Sequence, residues 1–179
     1  MNILLIILLA IFGLITIIVI IAAAQKDESV IEREVTINKP TQEVFNYIKL
    51  LKNQDYYSKW VMMDPNSKKT YTGIDGTVGF ISAWESTNKQ VGQGEQKITN
   101  VINGERLDSE LHFMKPFDGI SQAWMTTESV SDNQTKVKWG FRTNRKFGMK
   151  LAYILMNLER KLGNDFQENL SNLKNVLEK

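Results

Sequence analysis

Residues 30–48 read VIEREVTINKPTQEVFNYI, and this stretch predicts a strand that leads directly into a helix. Apolar and polar residues alternate over 30–37, and Arg33 is the one charged residue on the otherwise apolar side. Such period-two alternation is typical of a strand with one buried face. Asn38-Lys39-Pro40 then breaks the strand, and Thr41 is the expected N-cap of the helix. The junction therefore predicts a domain that mixes α and β structure.

Six more strands are predicted after a second short helix that ends near Trp60, because alternating segments are separated by short turns. Turn sequences such as Asp75-Gly76 and Asn103-Gly104 mark the breaks. The short connections predict an antiparallel meander. The predicted strand ranges are 69–74, 77–86, 90–101, 105–115, 119–130 and 134–142.

Residues 147–178 predict one long amphipathic helix. Apolar side chains recur there at spacings of three and four, and charged residues fill the other positions. Gly163 is a mild break that costs about 1 kcal/mol relative to alanine. The sheet and the helix each have one apolar face to bury, so we expect them to pack together in an α+β fold.

The composition is that of an ordinary globular domain and excludes several kinds of site. Of 179 residues, 23% are charged and 42% are hydrophobic, and the net charge is +2. Lysine and arginine are too dispersed to indicate nucleic-acid binding. With no cysteine, and with His112 as the one histidine, the usual nitrogen and sulfur metal sites are excluded. We therefore expect no metal and no cofactor.

The first part of the chain predicts a membrane anchor. Residues 3–24 carry no charge and would form a helix of about 33 Å, which matches a hydrocarbon core of about 30 Å. Ala22-Ala23-Ala24 resembles a signal-peptide cleavage site, but a basic n-region is missing and the apolar run is long. Lys26, Arg33 and Lys39 follow the run, which predicts a cytoplasmic domain under the positive-inside rule, whereas a secretory-type topology would place the domain outside. We expect an anchor at 1–25 and a single domain at 26–179.

Four stretches resemble the START-like, or SRPBCC, superfamily, and in particular its bacterial polyketide cyclase/dehydrase-like members. They are VTINKPTQEVFNYI at 35–48, SKW at 58–60, VGQGEQKITNVINGERLDSELHF at 91–113 and TKVKWGF at 135–141. The resemblance implies a helix-grip fold, in which a seven-stranded antiparallel sheet curls around a long C-terminal helix. It also implies an elongated apolar cavity for a lipid, sterol, polyketide or other hydrophobic molecule. Periodicity alone is equally compatible with a filled core.

Alternation assigns a set of residues to the inner face of the sheet and helix, where they would line such a cavity. Gly94, like Gly92, is expected to leave room there, and Ser82, Gln96 and Thr127 are the expected polar groups among apolar neighbours. Core packing is the alternative role for each apolar residue. The candidate ligand-binding residues are Phe80, Ser82, Trp84, Gly94, Gln96, Leu111, Phe113, Met125, Thr127, Trp139, Phe141, Leu151, Ile154, Leu155 and Leu158.

Three functions remain open at this point. The first is membrane-anchored binding of a hydrophobic small molecule or lipid. The second is a cyclase/dehydrase-type enzyme acting on an apolar substrate, which is less favoured because alternation turns Glu85, Glu95 and His112 away from the inner face. The third is a protein-interaction or stress-response module, like the chaperone-activating branch of the same superfamily.

Overall fold

The computed structural model describes residues 2–116 and 118–179, and it consists of one sheet with helices on one side and a separate N-terminal helix. The helices are α1 (Ile3–Ala24), α2 (Thr41–Ile48), a 3₁₀ helix (Leu51–Tyr56), α3 (Lys59–Met62), α4 (Phe147–Leu155) and α5 (Leu158–Leu177). The strands are β1 (Glu28–Ile37), β2 (Lys68–Thr72), β3 (Ile81–Glu85), β4 (Gln93–Ile102), β5 (Arg106–Lys115), β6 (Gly119–Ser131) and β7 (Gln134–Asn144).

The seven strands form one antiparallel sheet in the order β1-β7-β6-β5-β4-β3-β2. The first strand pairs with the last, so that Glu28 faces Asn144 at one end and Ile37 faces Thr135 at the other. Strands β2 to β7 follow one another as the predicted meander. The seven-stranded α+β architecture predicted from the sequence is confirmed.

The core lies between the sheet and helices α2 and α5. Helix α5 packs across β1 and β7 and buries Phe166, Leu170 and Leu173. Helix α2 packs against β6 and β7, and its Phe45 is fully buried. Each such side chain contributes about 1.5–3 kcal/mol on removal from water, so these contacts fix both helices on the sheet.

The C-terminal helical region differs from the single helix predicted over 147–178. The break falls at Asn157, whose φ of 48° is left-handed, and not at Gly163. Helix α4 therefore leaves the direction of α5 and packs against α1. Gly163 lies inside α5, where it is buried beside the guanidinium of Arg33.

Two local predictions are corrected by the backbone. Thr41 is not the N-cap of α2: Pro40 holds that position, and the Thr41 hydroxyl instead lies 3.2 Å from Oγ1 of Thr135. The third and fourth strands are shorter at their starts than predicted. Gly79 and Gly92 have φ of 92° and 65°, which a strand does not accommodate, so turns occupy those positions.

Candidate ligand-binding face of the sheet

The inner face of the sheet is the face covered by α5, and cross-strand pairing shows which side chains share it. Ser82 faces Gln96, which faces Leu111; Trp84 faces Gly94, which faces Phe113. The sheet residues proposed from alternation lie together on this face, namely Ser82, Trp84, Gly94, Gln96, Leu111, Phe113, Met125, Thr127, Trp139 and Phe141. Their contact with a ligand stays a prediction.

Phe80 precedes β3 but still reaches the interior. Its side chain is 1% exposed and packs with Leu51, Ile98 and Leu107 in a small apolar cluster. The amide of Ile98 donates to the Phe80 carbonyl at 2.9 Å, which continues the β3–β4 ladder past the end of β3. Phe80 is a core residue of this structure.

Aromatic side chains form a continuous row along the inner face, here called the aromatic row: Trp84, Phe113, Phe141, Phe166 and Trp139. Successive ring centroids lie 6.2, 6.5, 5.9 and 5.3 Å apart, mostly in edge-to-face or tilted contact. Such pairs add about 0.5–1.5 kcal/mol beyond the area they bury. The row is therefore a rigid apolar surface.

The two ends of the row differ in burial. Trp139 and Phe166 are 5% and 3% exposed, whereas Trp84, Phe113 and Phe141 are partly exposed. The partly exposed members lie toward the end of the sheet where β1 begins and β7 ends, here called the α1-proximal end. The β3–β4 and β5–β6 turns lie at the same end. The apolar surface therefore opens at the same end of the sheet at which α1 joins β1.

The room expected above Gly94 is filled. A Cβ on Gly94 would lie 2.7 Å from Cζ2 of Trp84 and 2.6 Å from the carbonyl oxygen of His112. Gly94 thus accommodates the Trp84 indole, and the expectation that it leaves space for a ligand is wrong. The same holds for Gly92, whose Cβ would meet the Lys115 carbonyl oxygen at 2.1 Å.

The space beside Trp139, at the buried end of the row, is also small. A cavity beside Gln54, Gln96, Ser109 and Met125 has a volume of about 10 Å³, which is room for a single water. At this depth the core is packed, as the periodicity alone allowed.

The predicted polar groups differ in what they do. Gln96 donates to Oγ of Ser109 at 2.8 Å, and both side chains border the small cavity. The Thr127 hydroxyl donates to the carbonyl of Gly104 at 2.7 Å. This hydrogen bond stabilises the β4–β5 turn. Ser82 is partly exposed near the open end of the face.

The helix residues of the candidate set are not brought to the inner face as a group. Leu151, Ile154 and Leu155 belong to α4, which packs against α1, and Leu155 is 67% exposed. Leu158 is the first residue of α5 and is partly exposed. The assignment of Leu155 to the interior is wrong, because the left-handed turn at Asn157 redirects the helix.

Tyr57 is an inner-face residue that sequence reasoning missed. It is fully buried, lies 5.9 Å edge-on from Trp139, and its hydroxyl is 4.0 Å from Sδ of Met125. Burial raises the pKa of Tyr57 far above its ordinary value, so the phenol stays neutral. Tyr57 follows an irregular 3₁₀ helix, where no periodicity marks which side chains point inward.

The outer face carries a second concavity of about 620 Å³ that was not predicted. At its centre the Trp124 indole lies over Gly140, between the guanidinium groups of Arg106 and Arg142, and donates to Glu32 at 3.0 Å. Arg106 in turn pairs with Asp108 and Arg142 with Glu28. These charged side chains are paired with one another, which is typical of an ion-pair network on a protein surface.

The ionisable groups weighed for catalysis lie away from the aromatic row. His112 is on the outer face, with Nε2 3.0 Å from Asp118, and Glu85 is exposed beside Lys68. Within residues 2–116 and 118–179, no group of three or more His, Asp and Glu side chains is placed to hold a metal ion.

No family model and no curated protein matches this sequence. Several solved structures, in contrast, match this chain. The Aha1 dimer from Colwellia psychrerythraea matches with a TM-score of 0.59 at 15% identity, over 84% of this chain and 96% of that one. A truncated norcoclaurine synthase from Thalictrum flavum matches with a TM-score of 0.59 at 15% identity, over 85% and 95%. DynU16, from the dynemicin biosynthetic locus, matches with a TM-score of 0.58 at 13% identity, over 86% of this chain and 48% of that one.

At these identities the comparisons establish the fold alone. The sheet of seven antiparallel strands, wrapped on a C-terminal helix, is the helix-grip fold that the resemblance to START-like proteins implied.

Proposed function

We propose that this protein is a membrane-anchored module that binds a hydrophobic small molecule or lipid against the open end of the aromatic row. The observation that carries the proposal is spatial. The partly exposed rings of Trp84, Phe113 and Phe141 lie at the end of the sheet from which α1 emerges. An apolar ligand dissolved in a bilayer would meet this surface first.

The properties of α1 support the anchor. It has 22 residues, a mean hydropathy of 3.5 over its most apolar window, and none of that window is buried against the rest of the chain. Only Gln25 to Asp27 separate α1 from β1, a reach of about 10 Å even when fully extended. Such a short tether keeps the binding face at high effective concentration next to the lipid.

The chemistry of the face supports binding over catalysis. Its open end offers aromatic rings, Leu111 and the uncharged hydroxyl of Ser82. Ligand sites are mostly apolar with a few placed polar groups, and this set fits that description. Within the START-like fold we therefore infer a bacterial polyketide cyclase-like member that retains the binding surface.

Photo-crosslinking of the full-length chain in phospholipid nanodiscs tests the proposal. A fatty-acid analogue with a diazirine in its acyl chain is added, irradiated, and mapped by mass spectrometry. We expect adducts on Trp84, Phe113 or Phe141. Adducts confined to α1 would contradict binding by the domain.

A pair of variants on one strand separates binding from general lipid contact. Ser82→Trp fills the open end of the inner face and should lower domain adducts several-fold. Ala83→Trp places the same side chain on the opposite face and should leave them unchanged. Equal losses in both variants would show that the inner face is not the binding site.

A further inference from the structure

Helix α4 has its polar and apolar faces reversed relative to a water-exposed helix. Its one charged residue, Lys150, is only 6% exposed. Phe147 and Leu155 are 47% and 67% exposed, and Met156 just after the helix is 62% exposed. Phe147, Leu151 and Leu155 follow one another at i, i+4 and i+8, so they form one stripe along the helix, in which the middle residue, Leu151, is half-buried. An apolar stripe facing outward requires a partner that is itself apolar.

The buried polar side chains of α4 are Lys150, held by the segment that links α1 to β1, and Tyr153, held by Arg145 next to that segment. Nζ of Lys150 donates to the Gln25 carbonyl at 2.7 Å and pairs with Asp27 at 2.6 Å. Tyr153 packs under the guanidinium of Arg145, which donates to the Lys26 carbonyl at 3.1 Å. These contacts fix which face of α4 points inward, so the outward apolar face is not the result of a freely rotating helix.

The position of α4 along α1 identifies what covers that face. Helix α4 packs against α1, whose one buried residue is Ala22. Ala22 lies two residues before the end of α1, which is about 3 Å along the helix axis. A helix that contacts α1 at this level lies at the boundary between acyl chains and headgroups if α1 spans the bilayer.

We propose that α4 is an interfacial helix, with the Phe147–Leu155 stripe and Met156 inserted among the lipid acyl chains beside α1. This inference rests on the proposed membrane anchor. Lys26 and Lys146 are exposed, so they would be available to anionic headgroups, which attract basic residues near the membrane surface. The α4–α1 pair then holds the open end of the aromatic row toward the bilayer.

Site-directed fluorescence tests this assignment in the full-length chain, which has no cysteine of its own. Single cysteines replace Leu155, Met156, Ile11 and Val130 in separate variants, and each is labelled with an environment-sensitive dye. The proteins are placed in vesicles of phosphatidylcholine and phosphatidylglycerol that carry a quencher on the upper acyl chain. Iodide serves as the aqueous quencher. Val130 is 53% exposed at the far end of β6 and is the control for an exposed apolar position in water.

We expect the dyes at Leu155→Cys and Met156→Cys to be quenched several-fold more by the lipid quencher than the dye at Val130→Cys, and to be protected from iodide. Ile11→Cys reports separately on α1. If Ile11 is in lipid while Leu155 and Met156 respond to iodide as Val130 does, α4 is not interfacial although the anchor stands. If Ile11 is in water, the anchor fails and the interfacial helix fails with it. Protection of Leu155 from both quenchers would mean that protein covers α4, and would also overturn the inference.

Discussion

The indole of Trp84 lies over Gly94, its direct neighbour on β4, at the open end of the inner face. The ring also donates from Nε1 to the Val91 carbonyl at 3.1 Å, which fixes its orientation. Gly94 thus supplies the space into which an aromatic side chain fits. This pairing brings the aromatic row close to the backbone and shapes the surface available to a ligand.

Gly94→Ala should destabilise the domain by about 2 kcal/mol, because the added methyl group would overlap both the Trp84 ring and a backbone carbonyl oxygen. The free energy of unfolding from urea titrations measures the effect. Gly119→Ala is the matched control, since a Cβ there would meet no atom within 4 Å. Equal stability of the two variants would show that Trp84 does not occupy this space.

Trp84→Ala should cost about 3 kcal/mol of stability, the low end for a tryptophan because Trp84 is partly exposed, and should at the same time enlarge the open end of the inner face. We expect stronger uptake of an apolar probe such as 1-anilinonaphthalene-8-sulfonate, read by its fluorescence. Trp124→Ala removes the same side chain from the outer face and should lower stability without raising probe binding. A gain of probe fluorescence in Trp124→Ala alone would place the apolar site on the outer face.

Asn157→Ala should destabilise the protein by about 1 kcal/mol, because a left-handed backbone is unfavourable for a residue with a plain Cβ. Asn157→Gly should retain or slightly raise stability, since glycine adopts this conformation without a steric penalty. Urea unfolding of both variants gives the comparison. Were alanine to stabilise the chain, with more helix by circular dichroism, α4 and α5 would form one continuous helix in solution.

The ion pair between Asp27 and Lys150 should make the α1–α4 junction sensitive to acid. The hydrogen bond from Lys150, together with its charge, lowers the pKa of Asp27 below the ordinary 3.8. A lowered pKa means that the folded state favours the carboxylate, so this contribution is present above pH 3.8 and is lost as the pH falls through the folded-state pKa. Because Asp27 is exposed, the effect is small.

Thermal unfolding of the wild type and Asp27→Asn at neutral and acid pH measures this contribution. The wild type should unfold at a higher temperature at neutral pH, and the two proteins should converge once Asp27 is protonated. A difference that persists unchanged in acid would assign the effect of the substitution to something other than the ion pair.

The basic residues that follow α1 predict a cytoplasmic domain. In a bacterial host, a C-terminal green fluorescent protein fusion to the full-length chain should fluoresce, and an alkaline phosphatase fusion should be inactive. The reverse pattern would place the domain on the outer side of the membrane.

Individual residues show how far the sequence could be read. The alternation around Val137, Trp139 and Phe141 predicted both the strand and its buried face, because a strand with one face in water alternates polar and apolar residues. The four strand members of the aromatic row could be listed from the same pattern, whereas Phe166 lies on α5 and was not among the candidates. Asn157 gave no comparable signal, since the apolar spacing continues across it. Whether its backbone is left-handed depends on what the flanking helices contact.

By itself, the sequence determined the seven strands, the antiparallel meander of β2 to β7, the inner face and the apolar α1, because each depends on local periodicity, short turns or composition. Tertiary structure alone decided three features: that Trp84 fills the space over Gly94, that Tyr57 is buried against Trp139, and that α4 turns toward α1 with Lys150 inward. Each of these is a contact between segments distant in the chain. Periodicity shows which face of a helix or strand is apolar, but not which other segment of the chain packs against that face.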